Sequence, residues 1–149
     1  MAAYGEDLVA AVDAAIRPWL TDRSSQLLNG TPSREVGAAI DDVASEAKRL
    51  LIELTTTDID QPLSGPLERI RQAVARLTPT LDAAGATRPG RDPFDAEMRP
   101  DDVYALGPMA FTDLGEDVHV AGITWGAAKA YLHQQRRRAT ESPRDDSSA

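Results

Sequence analysis

The chain has 149 residues, a net charge of −8, no cysteine and only 5% aromatic residues. That length suits a single domain with a core of its own. The missing cysteine excludes a disulfide framework, a thiol nucleophile and thiolate metal sites, and the acidic balance is a poor match for nucleic acid, which needs clustered cations.

Hydrophobic residues make up 42% and charged residues 27%, as in ordinary globular proteins. Alanine and leucine dominate the apolar set, which favours helices over a sandwich or barrel. No run approaches the roughly 20 apolar residues of a membrane span. The first residues carry no signal-peptide pattern, so a cytoplasmic location is expected. Arg outnumbers Lys 14 to 2, which together with the many alanines suggests a GC-rich bacterial genome.

The first helix is expected over residues 6–28, on the apolar face of Leu8 or Val9, Val12, Ile16, Trp19 and Leu27. Pro18 predicts a kink or break near Arg17, because an interior proline removes a hydrogen bond and crowds the preceding turn. Asn29-Gly30 is a good stop, since both residues tolerate positive φ. Thr31 or Ser33 caps the second helix, which is expected to reach about Leu54. Its apolar series is Val36, Ile40, Val43, Ala47, Leu50, Leu54, and three consecutive threonines end it.

Ser64 is the expected cap of the third helix, with Pro66 in its first turn. Its series is Leu63, Leu67, Ile70, Val74, Leu77, Leu81. Pro79 should disturb the last turns and Gly85 should close them. Both series step 4, 3, 4, 3, 4, which marks one stripe of a helix and predicts an αα-hairpin over Ser33 to Ala84.

Residues 85–112 are too long for an ordinary connection. Thr87 to Pro93 is turn-rich, yet Phe94, Met98, Val103, Tyr104, Leu106, Met109 and Phe111 are too apolar for a solvated linker. The segment is therefore expected to pack across the helices, with one helical turn after Asp101 or Asp102 that Gly107-Pro108 ends. A last helix is expected from about Asp113 to Arg138, on Leu114, Val118, Ala121, Trp125, Ala128 and Leu132. The alternative is a break near Gly122 with the helix starting at Thr124. From Thr140 the polar tail predicts disorder.

The fold expected is thus all-α: a four-helix up-down-up-down bundle over residues 1–139, with a partly ordered Pro/Gly-rich crossover at 85–112 and a disordered tail at 140–149. Its expected core is Val12, Ile16, Val36, Ile40, Val43, Leu50, Leu54, Leu67, Ile70, Val74, Leu77, Trp125 and Leu132.

Charge is unevenly placed. Between Asp92 and Asp117 stand eight acidic residues against one basic, Arg99. No phosphate-binding glycine loop and no nucleophile elbow occurs, so no catalytic residue is assigned and no cofactor is expected. Glu116-x-x-His119 puts two metal-ligand side chains on one helix face, but di-iron bundles need two such pairs plus further glutamates. The acidic run lacks the alternating oxygen ligands of a calcium loop, so no metal site is assigned there either. Arg136 to Arg138 suits the negative end of a helix, offers a weak nucleic-acid contact, and makes Thr140 resemble a basophilic kinase site.

The function expected is a non-catalytic protein–protein interaction module, such as a small bacterial adaptor, regulator or accessory subunit. Its partner-binding residues would be Asp95, Glu97, Met98, Asp101, Asp102, Tyr104 and Phe111. The partner would be another protein, of basic character, or a second copy in a homodimer, with no membrane role and nucleic acid disfavoured. Two alternatives are a metal- or small-ligand-binding enzyme centred on Glu116 and His119, and a nucleic-acid accessory factor working through Arg136–Arg138.

Overall fold

The structure is a computed structural model that describes residues 2–56 and 65–147, with side chains as far as Thr140. All regular elements among the described residues are helices: α1 (Ala2–Leu28), α2 (Arg34–Thr56), α3 (Pro66–Val74), α4 (Thr78–Ala83), α5 (Pro93–Met98), α6 (Phe111–Leu114) and α7 (Glu116–Ser147). A 3-10 turn, Ala75–Leu77, joins α3 to α4.

α1 runs unbroken through Pro18, contrary to the expected interruption near Arg17. Pro18 and Ala14, four residues before it, are both exposed, so water can satisfy the carbonyl that proline leaves without a donor. The stop is as expected. Asn29 adopts a φ of 56°, and the Gly30 amide donates back to the Ser25 carbonyl, which makes a Schellman-type end. Ser33 Oγ accepts from the Val36 amide and caps α2. Thr55 and Thr56 turn their hydroxyls onto the carbonyls of Leu51 and Ile52 at its far end.

Gly5 is buried against Thr55, so the start of α1 lies beside the end of α2 and the pair is antiparallel. The apolar stripe of α2 then packs on α1 from one side and on α3 from the other. The expected cap Ser64 and the first series residue Leu63 fall outside the described residues. Pro79 lies just after the 3-10 turn, where its missing amide and bulky ring prevent a regular α-helix through Ala75. Gly85 ends α4 at a φ of 79°.

One continuous core results. Leu8, Val12, Ile16 and Leu20 of α1 meet Val36, Ile40, Ala47, Leu51 and Leu54 of α2, and Ile70, Val74, Leu77 and Leu81 extend it beyond α2. Full burial stabilises each such side chain by about 1.5–3 kcal/mol. Two expected core residues are only partly buried. Leu67 sits at the rim of α3, whose inward face is carried by Pro66, Ile70, Ala73 and Val74. Leu132 lies where α7 has left its neighbours, because every other residue from 130 to 140 is exposed.

The last helix begins at Glu116 rather than at Asp113 or Thr124. Gly115, at a φ of 128°, separates it from the single turn of α6. α7 packs on α1 and α6 through Val118, Gly122 and Trp125. Its backbone is helical as far as Ser147, past Thr140, where the polar tail begins. No helix is long and apolar enough to cross a membrane among the described residues.

Candidate partner-binding surface

Residues 85–112 are held in place by polar contacts that the expected core list did not anticipate. Asp102 is buried, 6% exposed, and its two carboxylate oxygens accept from the Leu106 and Gly107 amides at 2.8 Å each. This bends the chain so that Leu106 enters the core. The Trp19 indole then donates to the Leu106 carbonyl at 2.9 Å and ties α1 to the bend. Arg71 of α3 reaches the other side, donating to the Pro108 and Met109 carbonyls. Gly107 is needed there: a Cβ on it would stand 2.7 Å from the Arg71 side chain.

Tyr104 is also buried, and its hydroxyl donates to the Asp82 carboxylate, which Arg88 also approaches at 3.4 Å. The Tyr104 hydrogen bond, followed by Arg88, holds the Asp82 carboxyl below its ordinary value, and burial above all raises the Tyr104 hydroxyl above its own. The signs follow from these directions. Asp82, lowered in the fold, adds stability above its unfolded value, and this is lost as pH falls through the folded one. Tyr104, raised in the fold, adds stability below its unfolded value, and this is lost as pH rises through the folded one. Tyr104→Phe should therefore be less stable than the parent between about pH 5 and 9, with the gap closing at both extremes. Urea midpoints measured across pH check this; a constant gap would mean the pair is not coupled.

Of the eight acidic residues of the segment, four are engaged in shaping it. Asp92 caps α5 by accepting from the Phe94 amide, Asp95 pairs with Arg99 at 2.8 Å, and Asp102 forms the bend. Asp113 accepts from the Met109 and Ala110 amides at the start of α6. Glu97, Asp101, Glu116 and Asp117 remain exposed.

The seven residues assigned to partner binding thus separate. Asp102 and Tyr104 are buried and support the crossover from beneath. Phe111 is partly buried against Gly122 of α7. Asp95 is half-buried beside Arg99. Glu97, Met98 and Asp101 are exposed and lie together near α5. Phe94 (71% exposed), Met98 (64%) and Met109 (57%) are large apolar residues in solvent; Met98 is among the residues assigned to partner binding, whereas Phe94 and Met109 were expected only to pack across the helices. Phe94 and Met98 are four residues apart on one face of α5, and the Met109 sulfur touches the Arg99 guanidinium. No residue of α5 is buried.

A cleft of about 260 Å³ opens beside this group, between α3 and the crossover, lined by Glu68, Arg71, Gln72, Met98, Arg99 and Asp101. A larger groove of about 820 Å³ lies between α1 and α2, with Val9, Ala10, Ala14 and Ile52 on its walls. Lys48 and Asp13 pair across it at 3.7 Å, and Thr55 and Thr56 also line it. Sequence periodicity missed this groove because Ile52 lies off the buried stripe of α2.

Glu116 is exposed and His119 half-buried at the start of α7. Among the described residues, no three His, Asp or Glu side chains are grouped to hold a metal ion. Arg137 and Arg138 are exposed near the far end of α7. No family model, curated protein or solved structure matches the chain.

Proposed function

We propose that the chain is a non-catalytic protein–protein interaction module, an adaptor or accessory subunit that docks a basic partner on the crossover. The observation that carries this reading is α5. It places Phe94 and Met98 in solvent and buries nothing, yet Asp92, Arg91 and Arg99 hold it in shape through hydrogen bonds. A short helix that adds no core but displays large apolar residues suits a partner contact. Glu97 and Asp101 rim the group with negative charge, which suits a partner carrying lysine or arginine around an apolar anchor. The frame behind it is read as four long helical elements in up-down-up-down order, with residues 85–112 crossing from the third to the fourth.

The test compares the parent with Phe94→Asp/Met98→Asp as bait in a lysate of the source cell. Both positions are exposed, so the variant should unfold at the parent's urea midpoint. A stoichiometric protein retained by the parent and depleted at least about tenfold on the variant supports the surface, a factor that equals about 1.4 kcal/mol of binding. Identical sets of retained proteins would remove it.

A further inference from the structure

α7 has two apolar faces. Val118, Gly122 and Trp125 turn toward α1 and α6. On the opposite side, Val120 (54% exposed), Ile123 (56%), Ala127 and Tyr131 (61%) step 3, 4, 4 along the helix and make one solvent-facing stripe. Single exposed apolar residues are ordinary, but a stripe of them at helical spacing marks a helix-packing surface. Its ends carry opposite charge. Glu116 lies on the stripe before Val120, with Asp117 beside it, and Arg138 lies on the stripe beyond Tyr131, with Arg137 beside it.

We propose that this face pairs with the same face of a second copy, antiparallel, about a two-fold axis at Ala127. In that register Ile123 meets Tyr131 of the other copy, Val120 meets Gln134, and Ala127 meets itself. Glu116 then meets Arg138 at each end. A parallel pair would instead set Glu116 against Glu116 and Arg138 against Arg138. The charges therefore choose the antiparallel arrangement, and the small side chain of Ala127 at the centre lets the helices approach closely. The stripe from Glu116 to Arg138 is about 33 Å long at 1.5 Å per residue. One helix pair of that length is a small interface, so a dimer that dissociates in the micromolar range is expected. This surface is separate from α5, and neither reading depends on the other.

Light scattering during size-exclusion chromatography should show mass rising from 16.0 kDa toward twice that value as the full chain is concentrated. Ile123→Glu/Tyr131→Glu should stay monomeric at every concentration and keep the parent's circular dichroism, since both residues are exposed in the single copy. Arg138→Glu should weaken the dimer at least about tenfold, and adding Glu116→Arg should restore it. Because the chain has no cysteine, Ala127→Cys and Val120→Cys give a clean register test. Ala127→Cys should form an intermolecular disulfide on mild oxidation, and Val120→Cys, about 21 Å from its own copy, should not. A parent that remains a monomer at millimolar concentration overturns the proposal. So does a dimer insensitive to the Ile123 and Tyr131 changes, or a Val120→Cys cross-link in place of the Ala127→Cys one.

Discussion

Asp102→Ala is expected to lower the free energy of unfolding by about 2–4 kcal/mol, because it strips the acceptors from two buried amides, Leu106 and Gly107. An amide left unpaired away from water costs about 1–3 kcal/mol. The loss should propagate. Leu106 is fully buried and its carbonyl receives the Trp19 indole, so a loosened bend frees that indole to water. Urea unfolding followed by tryptophan fluorescence reads both effects: an earlier midpoint and a red shift of the native spectrum. Asp102→Asn keeps one acceptor and should fall between. Phe94→Ala, at an exposed site on the same segment, should change stability by no more than about 0.5 kcal/mol. An Asp102→Ala protein as stable as the Phe94→Ala control would mean that the crossover adds nothing to the fold.

How much of this was legible beforehand depends on what kind of force was at work. The 4, 3 spacing of Val36, Ile40, Val43, Ala47, Leu50 and Leu54 marks α2 because burial of a stripe is a local pattern that the chain repeats every turn. Asn29-Gly30 marks the end of α1 for a similar reason, since left-handed backbone needs particular residues. The crossover was legible only as too apolar to be solvated. Its acidic residues looked like a docking face, but Asp92, Asp95, Asp102 and Asp113 accept hydrogen bonds within residues 92–113, which composition cannot distinguish from free surface charge. Tyr104 and Asp82 are far apart in sequence, and no periodicity connects them. Pro18 misled in the other direction: a proline breaks a helix less when its freed carbonyl faces water, and exposure is set by the tertiary fold. The candidate site shifted accordingly: Met98 stays in it, and Phe94 and Met109, whose apolar character suggested packing across the helices, join it.

The two glycines of the Gly122-x-x-x-Gly126 step should respond differently to the same substitution, with a gain at Gly126 and none at Gly122. Alanine is favoured over glycine inside a helix by about 1 kcal/mol, and at Gly126 nothing lies within 4 Å of the added methyl, so Gly126→Ala should gain about that amount. At Gly122 the methyl would stand 2.6–2.7 Å from the Phe111 ring. An aromatic ring cannot bend aside as a long aliphatic chain does, so α6 must lift or Phe111 must leave its seat. Overpacking of this kind costs about 1–3 kcal/mol, enough to cancel the helical gain and at its upper end to outweigh it. Gly122→Ala should thus be about as stable as the parent or less so, and Gly122→Val, which adds β-branched crowding, lower still. The decisive comparison is the double variant Gly122→Ala/Phe111→Ala against Phe111→Ala alone. With the ring gone, alanine at position 122 should recover its ordinary helical advantage of about 1 kcal/mol. A Gly122→Ala penalty that persists without Phe111 would place the constraint on α1 instead, and α6 would no longer be the element that requires glycine there.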